Sequence, residues 1–144
     1  MNKTFLLSVL LLTLAISAAV AGYTRASRNQ AAATLTGVWK GSFPQAPAVP
    51  AVEITLNIQA GQLAGKAVFY KVVNGGAGGE IKGKVEAPLV DPVFDGQVFS
   101  FKVKREDGSF FKGRVKFVAE HEAALYSDDQ HTGDELAITL RREK

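Results

Sequence analysis

Cysteine is absent from the 144 residues. That excludes a disulfide scaffold, a Cys-ligated zinc or iron–sulfur centre, a thiol nucleophile and the modified cysteine of a bacterial lipoprotein anchor. Histidine is scarce, with His121 and His131 alone, and no serine sits in a nucleophile elbow beside them. Nothing therefore suggests an enzyme. Charge of one sign is in short supply too. The formal net charge is +3, too small by itself to imply a nucleic-acid partner. Gly78, Glu80, Gly83 and Lys84 partly match a phosphate loop, but Val85 stands where Ser or Thr must hold magnesium, and no helical pattern follows. What the chain has in quantity is apolar residues, 47% against 22% charged, which excludes wholesale disorder.

A single long hydrophobic run exists, Phe5 to Val20, preceded by Lys3 and ending in Ala19-Val20-Ala21. The small residues at the end suit a signal peptidase, and the run is shorter than the roughly 20 residues that span a bilayer comfortably. Residues 1–21 are expected to be a helical signal peptide cleaved near Ala21, which makes the mature chain secreted, periplasmic or extracellular, with no transmembrane segment. Cleavage removes one lysine and no acid, so the charge falls from +3 to +2. Residues 22–34 read as an Ala-rich tether, and residues 35–144 as one domain.

From Leu35 the apolar period is two. Leu35 to Phe43, Val52 to Gln59, Leu63 to Lys71, Ile81 to Val85, Phe99 to Lys104, Phe111 to Phe117, Ala123 to Ser127 and Leu136 to Leu140 each alternate. Asp107-Gly108 signals a hairpin, and Asp95-Gly96 a further small one. The pattern predicts an all-β, eight-stranded antiparallel up-and-down barrel, since closure disposes of every sheet edge. A sandwich of the same strands is the alternative. Such a barrel holds either packed side chains or one small ligand.

Gly37-Val38-Trp39 with Lys40-Gly41 on the first strand, and Arg141-Arg142 at the end of the last, resemble the calycin arrangement. The chain is also similar to small secreted bacterial lipocalin-like barrels. It is shorter than true lipocalins, with no helix after the last strand and no Thr-Asp-Tyr signature. The resemblance implies that Arg142 covers the Trp39 indole and closes one end of the barrel.

Alternation turns Trp39, Phe69, Phe99, Phe101, Phe111 and Phe117 inward, where they are expected to line the cup. Gly65, Gly83 and Gly113 share that parity and either leave room for a ligand or let the strands coil. Lys82, Lys84, Lys102, Lys104, Lys112, Arg114 and Lys116 form a basic outer face. One rim collects Pro44 to Pro50, Val73 to Gly79, Arg105 to Ser109 and Asp128 to Asp134; the other has a longer link over Ala87 to Gln97. The Asp128–Asp134 loop lacks the closing Glu of a calcium loop, so no metal and no cofactor are expected.

The expected function is binding of a small apolar or amphipathic ligand by a monomer, without catalysis. The alternative is an interaction module, such as an inhibitor of a secreted hydrolase or a binder of anionic envelope polymers, acting through rim loops or the basic face.

Overall fold

The computed structural model describes residues 32–73, 79–128 and 137–144. The expected signal peptide, most of the tether and most of the Asp128–Asp134 loop lie outside the described residues. Ala32 to Thr34 form a turn closed by Leu35 N–H donating to Ala32 O at 3.1 Å. The described residues after it form nine strands and their turns: β1 Gly37–Phe43, β2 Ala46–Gln59, β3 Gln62–Val73, β4 Glu80–Pro88, β5 Val90–Phe94, β6 Val98–Lys104, β7 Phe110–Ala119, β8 Glu122–Ser127 and β9 Ile138–Arg142.

All nine lie in one antiparallel sheet in the order β4-β3-β2-β1-β9-β8-β7-β6-β5. The alternation that produces it is plainest in β2, where Val52, Ile54 and Leu56 are buried while Glu53 and Thr55 are not. Since β1 pairs antiparallel with both β2 and β9, counting outward leaves the edge strands β4 and β5 pointing the same way. Leu89 alone joins them. Residues 80–94 thus form one continuous run that pairs with β3 before Leu89 and with β6 after it. Leu89 is buried and its N–H donates to Gly65 O at 2.9 Å. Asp91, at φ 49°, makes the bulge that redirects the chain. The sheet therefore curls until its edges converge at Leu89.

Two expectations need correction. The Asp95-Gly96 dipeptide does make the extra hairpin it signals, so the link over Ala87–Gln97 contains a strand segment, β5, paired with β6, and the described strands number nine rather than eight. That turn is set by Gly96 at φ 106° and by Asp95 Oδ1 accepting Gln97 N–H and Val98 N–H, each at 2.8 Å. The Pro44–Pro50 stretch is not a loop either, because β2 begins at Ala46. Its prolines, which have no N–H to donate, fit where the β1–β2 register is broken around Ser42.

The core fills the concave side. Trp39, Phe99, Ile54, Leu140 and Val52 are its largest fully buried side chains, and no charged or polar residue is buried among the described residues. Glycines set how closely the layers approach. A Cβ on Gly65 would fall 2.0 Å from Thr55 O, so only glycine permits this crossing of β2 and β3.

Candidate functional site

The two ends of the curled sheet differ. At the end where β1 starts and β9 finishes, Trp39 lies opposite Arg142 in the β1–β9 ladder. The guanidinium carbon is 5.9 Å from the indole centroid, within cation–π range. Arg142 Nη2 donates to Thr36 O, and Trp39 Nε1 donates to Leu35 O at 2.9 Å, which ties both side chains to the backbone before β1. Gly37, at φ 129°, leaves room for the Arg142 side chain. Phe117 meets Trp39 edge-on at 5.3 Å, and Phe94 meets Phe117 at 6.0 Å. The space among Trp39, Ile54, Phe99, Val115, Phe117 and Leu140 admits no water. The interior of this end is filled.

The far end is not. Past Leu89, β4 comes alongside β6, but no ladder joins them among the described residues. The fork opens a cavity of about 500 Å³ lined by Phe69, Val85, Val103, Phe111 and Ile138, with Lys104, Arg105, Glu106 and Asp107 at its lip. That volume falls in the range of small-molecule sites. Phe69 and Phe111 meet edge-on at 5.2 Å. Beneath them Phe101 lies 6.3 Å from Phe111 and stacks on Phe99 at 5.3 Å, which forms an aromatic floor.

Of the six aromatic residues expected in the cup, Phe69 and Phe111 line this cavity, while Trp39, Phe99 and Phe117 fill the packed end and Phe101 lies between. The inward glycines divide in the same way. The Gly113 position is occupied by the Phe101 ring, whose Cζ would lie 2.6 Å from an added Cβ; a Cβ on Gly83 would meet nothing within 4 Å. Val85, Val103 and Ile138 were not singled out from sequence as cavity walls, although their alternation with charged or polar neighbours puts them on the inward side. Lys71, which shares the parity of Phe69, reaches across the mouth to Glu106 at 3.6 Å.

The lip is held by local hydrogen bonds. Asp107 Oδ1 accepts the Ser109 hydroxyl at 2.6 Å and the Ser109 N–H at 2.9 Å, which holds its carboxyl below the ordinary Asp value. Arg105 lies 5.9 Å over the Phe111 ring.

The basic residues do lie outside, alternating with buried Phe99, Phe101 and Val103 on β6. Several are neutralised: Lys82 by Glu80 at 2.9 Å, Lys102 by Asp91 at 2.9 Å, and Arg114 by Asp128. Lys116 covers the Tyr126 ring at 5.4 Å. Lys84, Lys104 and Lys112 have no acidic partner among the described residues, and Lys112 stands directly opposite Lys102 in the β6–β7 ladder.

Two other concavities are less apolar. One runs outside β1 between Lys40, Phe43, Pro47 and Arg141, and one lies beneath Trp39 and Arg142. Among the described residues no group of three His, Asp or Glu is placed to hold a metal, and no helix is long and apolar enough to cross a membrane. In comparisons with known proteins, no family model, no curated protein and no solved structure matches this chain.

Proposed function

We propose that the chain is a secreted, calycin-like binding protein that holds a small apolar or amphipathic molecule without transforming it. The observation that carries this reading is the fork cavity, walled by Phe69, Val85, Val103, Phe111 and Ile138 and floored by stacked aromatics. An apolar tail buried there gains about 25 cal/mol per Å² removed from water, and the charged lip leaves a polar head in solvent. The continuous run through Leu89 and the β1–β9 ladder support the barrel reading, with residues 80–94 acting as one strand of an eight-strand closure. The interior behind Trp39 is filled, and the fork is the more apolar of the openings.

The test uses the uncharged apolar fluorophore N-phenyl-1-naphthylamine. Saturable, one-to-one enhancement is expected, and Val85→Trp, which fills the cavity, should abolish it without lowering the melting temperature. No enhancement, or enhancement indifferent to Val85→Trp, overturns the proposal.

A further inference from the structure

We infer that the quadrant of the far rim around the fork is a docking surface for an anionic lipid bilayer. It has two ingredients that a soluble polyanion would not both require. The first is uncompensated positive charge. The acids close to it are already engaged: Glu80 with Lys82, Glu106 with Lys71, Asp107 with Ser109, and Asp128 with Arg114. Among the described residues Lys84, Lys104 and Lys112 are left over. Lys112 stands opposite Lys102, whose charge Asp91 already answers, so the Lys112 ammonium faces no free acid across the ladder.

The second ingredient is exposed apolar surface at the same place. Phe110 is 41% exposed and sits opposite Lys104 in the β6–β7 ladder. Val73 and Ile81, each 43% exposed, end β3 and begin β4 at the same rim. Apolar side chains ringed by lysines match the interface of a bilayer, where the first enter the acyl boundary and the second meet anionic headgroups. The opposite end also exposes Ile58, Val93 and Val118, but its turns carry Asp95, Glu120 and Glu122 and no lysine. Asp128, which follows β8, donates its N–H to Lys112 O at 2.9 Å, but its carboxylate is taken by Arg114. The unpartnered lysines therefore mark the end that docks, and it is the end where the cavity opens.

The test is co-sedimentation with phosphatidylcholine vesicles prepared with and without phosphatidylglycerol. Retention is expected only with phosphatidylglycerol and should weaken as salt rises. Replacing Lys104 and Lys112 with Gln should lower affinity by roughly fivefold per lysine, the usual effect of one charge at an anionic membrane. Phe110→Ser should weaken retention as well, while Val118→Ser at the opposite end should not. Melting curves of each variant separate lost docking from lost folding. No retention on phosphatidylglycerol, or equal retention on both vesicles, overturns the inference. So does a Phe110→Ser protein that holds vesicles and dextran sulfate as well as the parent, which would assign the surface to a soluble polyanion.

Discussion

Arg142 packs over Trp39 from the neighbouring strand, its guanidinium carbon 5.9 Å from the indole centroid, while Arg141 on the other side of the same strand pairs with exposed Lys40. The contrast sets up a three-way comparison. Trp39→Ala empties a fully buried site and should cost about 3–5 kcal/mol. Arg142→Ala should cost about 1–2 kcal/mol through the lost cation–π contact and packing. Arg141→Ala should change little. Denaturant midpoints of the three variants order them, and an Arg141→Ala more damaging than Arg142→Ala contradicts the register.

Glycine positions on β3 and β4 should respond oppositely. Gly65→Ala drives a Cβ into the Thr55 carbonyl, a clash that no side-chain rotation relieves. It should destabilise by about 1–3 kcal/mol or more, as overpacking does. Gly83→Ala enters open space and should be neutral or slightly stabilising, since alanine loses less backbone freedom on folding. Thermal melts followed by circular dichroism distinguish the two.

Acid should loosen both hairpin turns. The Val98 and Gln97 N–H groups hold the Asp95 carboxyl below its ordinary value, and the Ser109 hydroxyl and N–H do the same for Asp107. A lowered folded value means stability that is present above the unfolded Asp range, about 3.9, and is lost as pH falls through the folded values. Melting temperature plotted against pH should therefore fall less steeply in acid for a protein carrying Asp95→Asn and Asp107→Asn. An unchanged slope would show that these turns do not contribute.

The aromatic pair at the mouth should separate binding from folding. Phe111→Ala enlarges the cavity and removes the edge-on contact with Phe69. It should weaken fluorophore binding severalfold, while Phe99→Ala, deep in the packed floor, should mainly lower stability by about 3–5 kcal/mol. Titration of each variant below its melting temperature checks the split.

Much of this was legible in the alternation of single strands. Val52-Ile54-Leu56 and Phe99-Phe101-Val103 announce their buried faces, and the parity of Trp39 and Arg142 puts them on one side. Parity gives the side of a strand but not the height along it. Trp39, Phe99 and Phe117 thus look the same in sequence as Phe69 and Phe111, although only the last two border the cavity. Asp95-Gly96 signals a turn, but Val90–Phe94 before it does not read as a strand because Pro92 and the left-handed Asp91 interrupt its alternation. The fork arises because one strand changes partner at Leu89, a relation between distant segments that no local period records.

The way the ends of the chain meet also governs how the protein can fold. Among the described residues every ladder but one joins strands adjacent in sequence; the exception is β1 with β9, across which Arg142 reaches Thr36, 106 residues earlier. Hairpins close over short loops at small entropic cost, whereas this last pairing must gather nearly the whole domain first. Linking Lys144 to Leu35 and opening the chain in the Arg105–Ser109 turn would make that pairing local and move the longest closure to β6 and β7. The Trp39–Arg142 contact would then form early in folding instead of late.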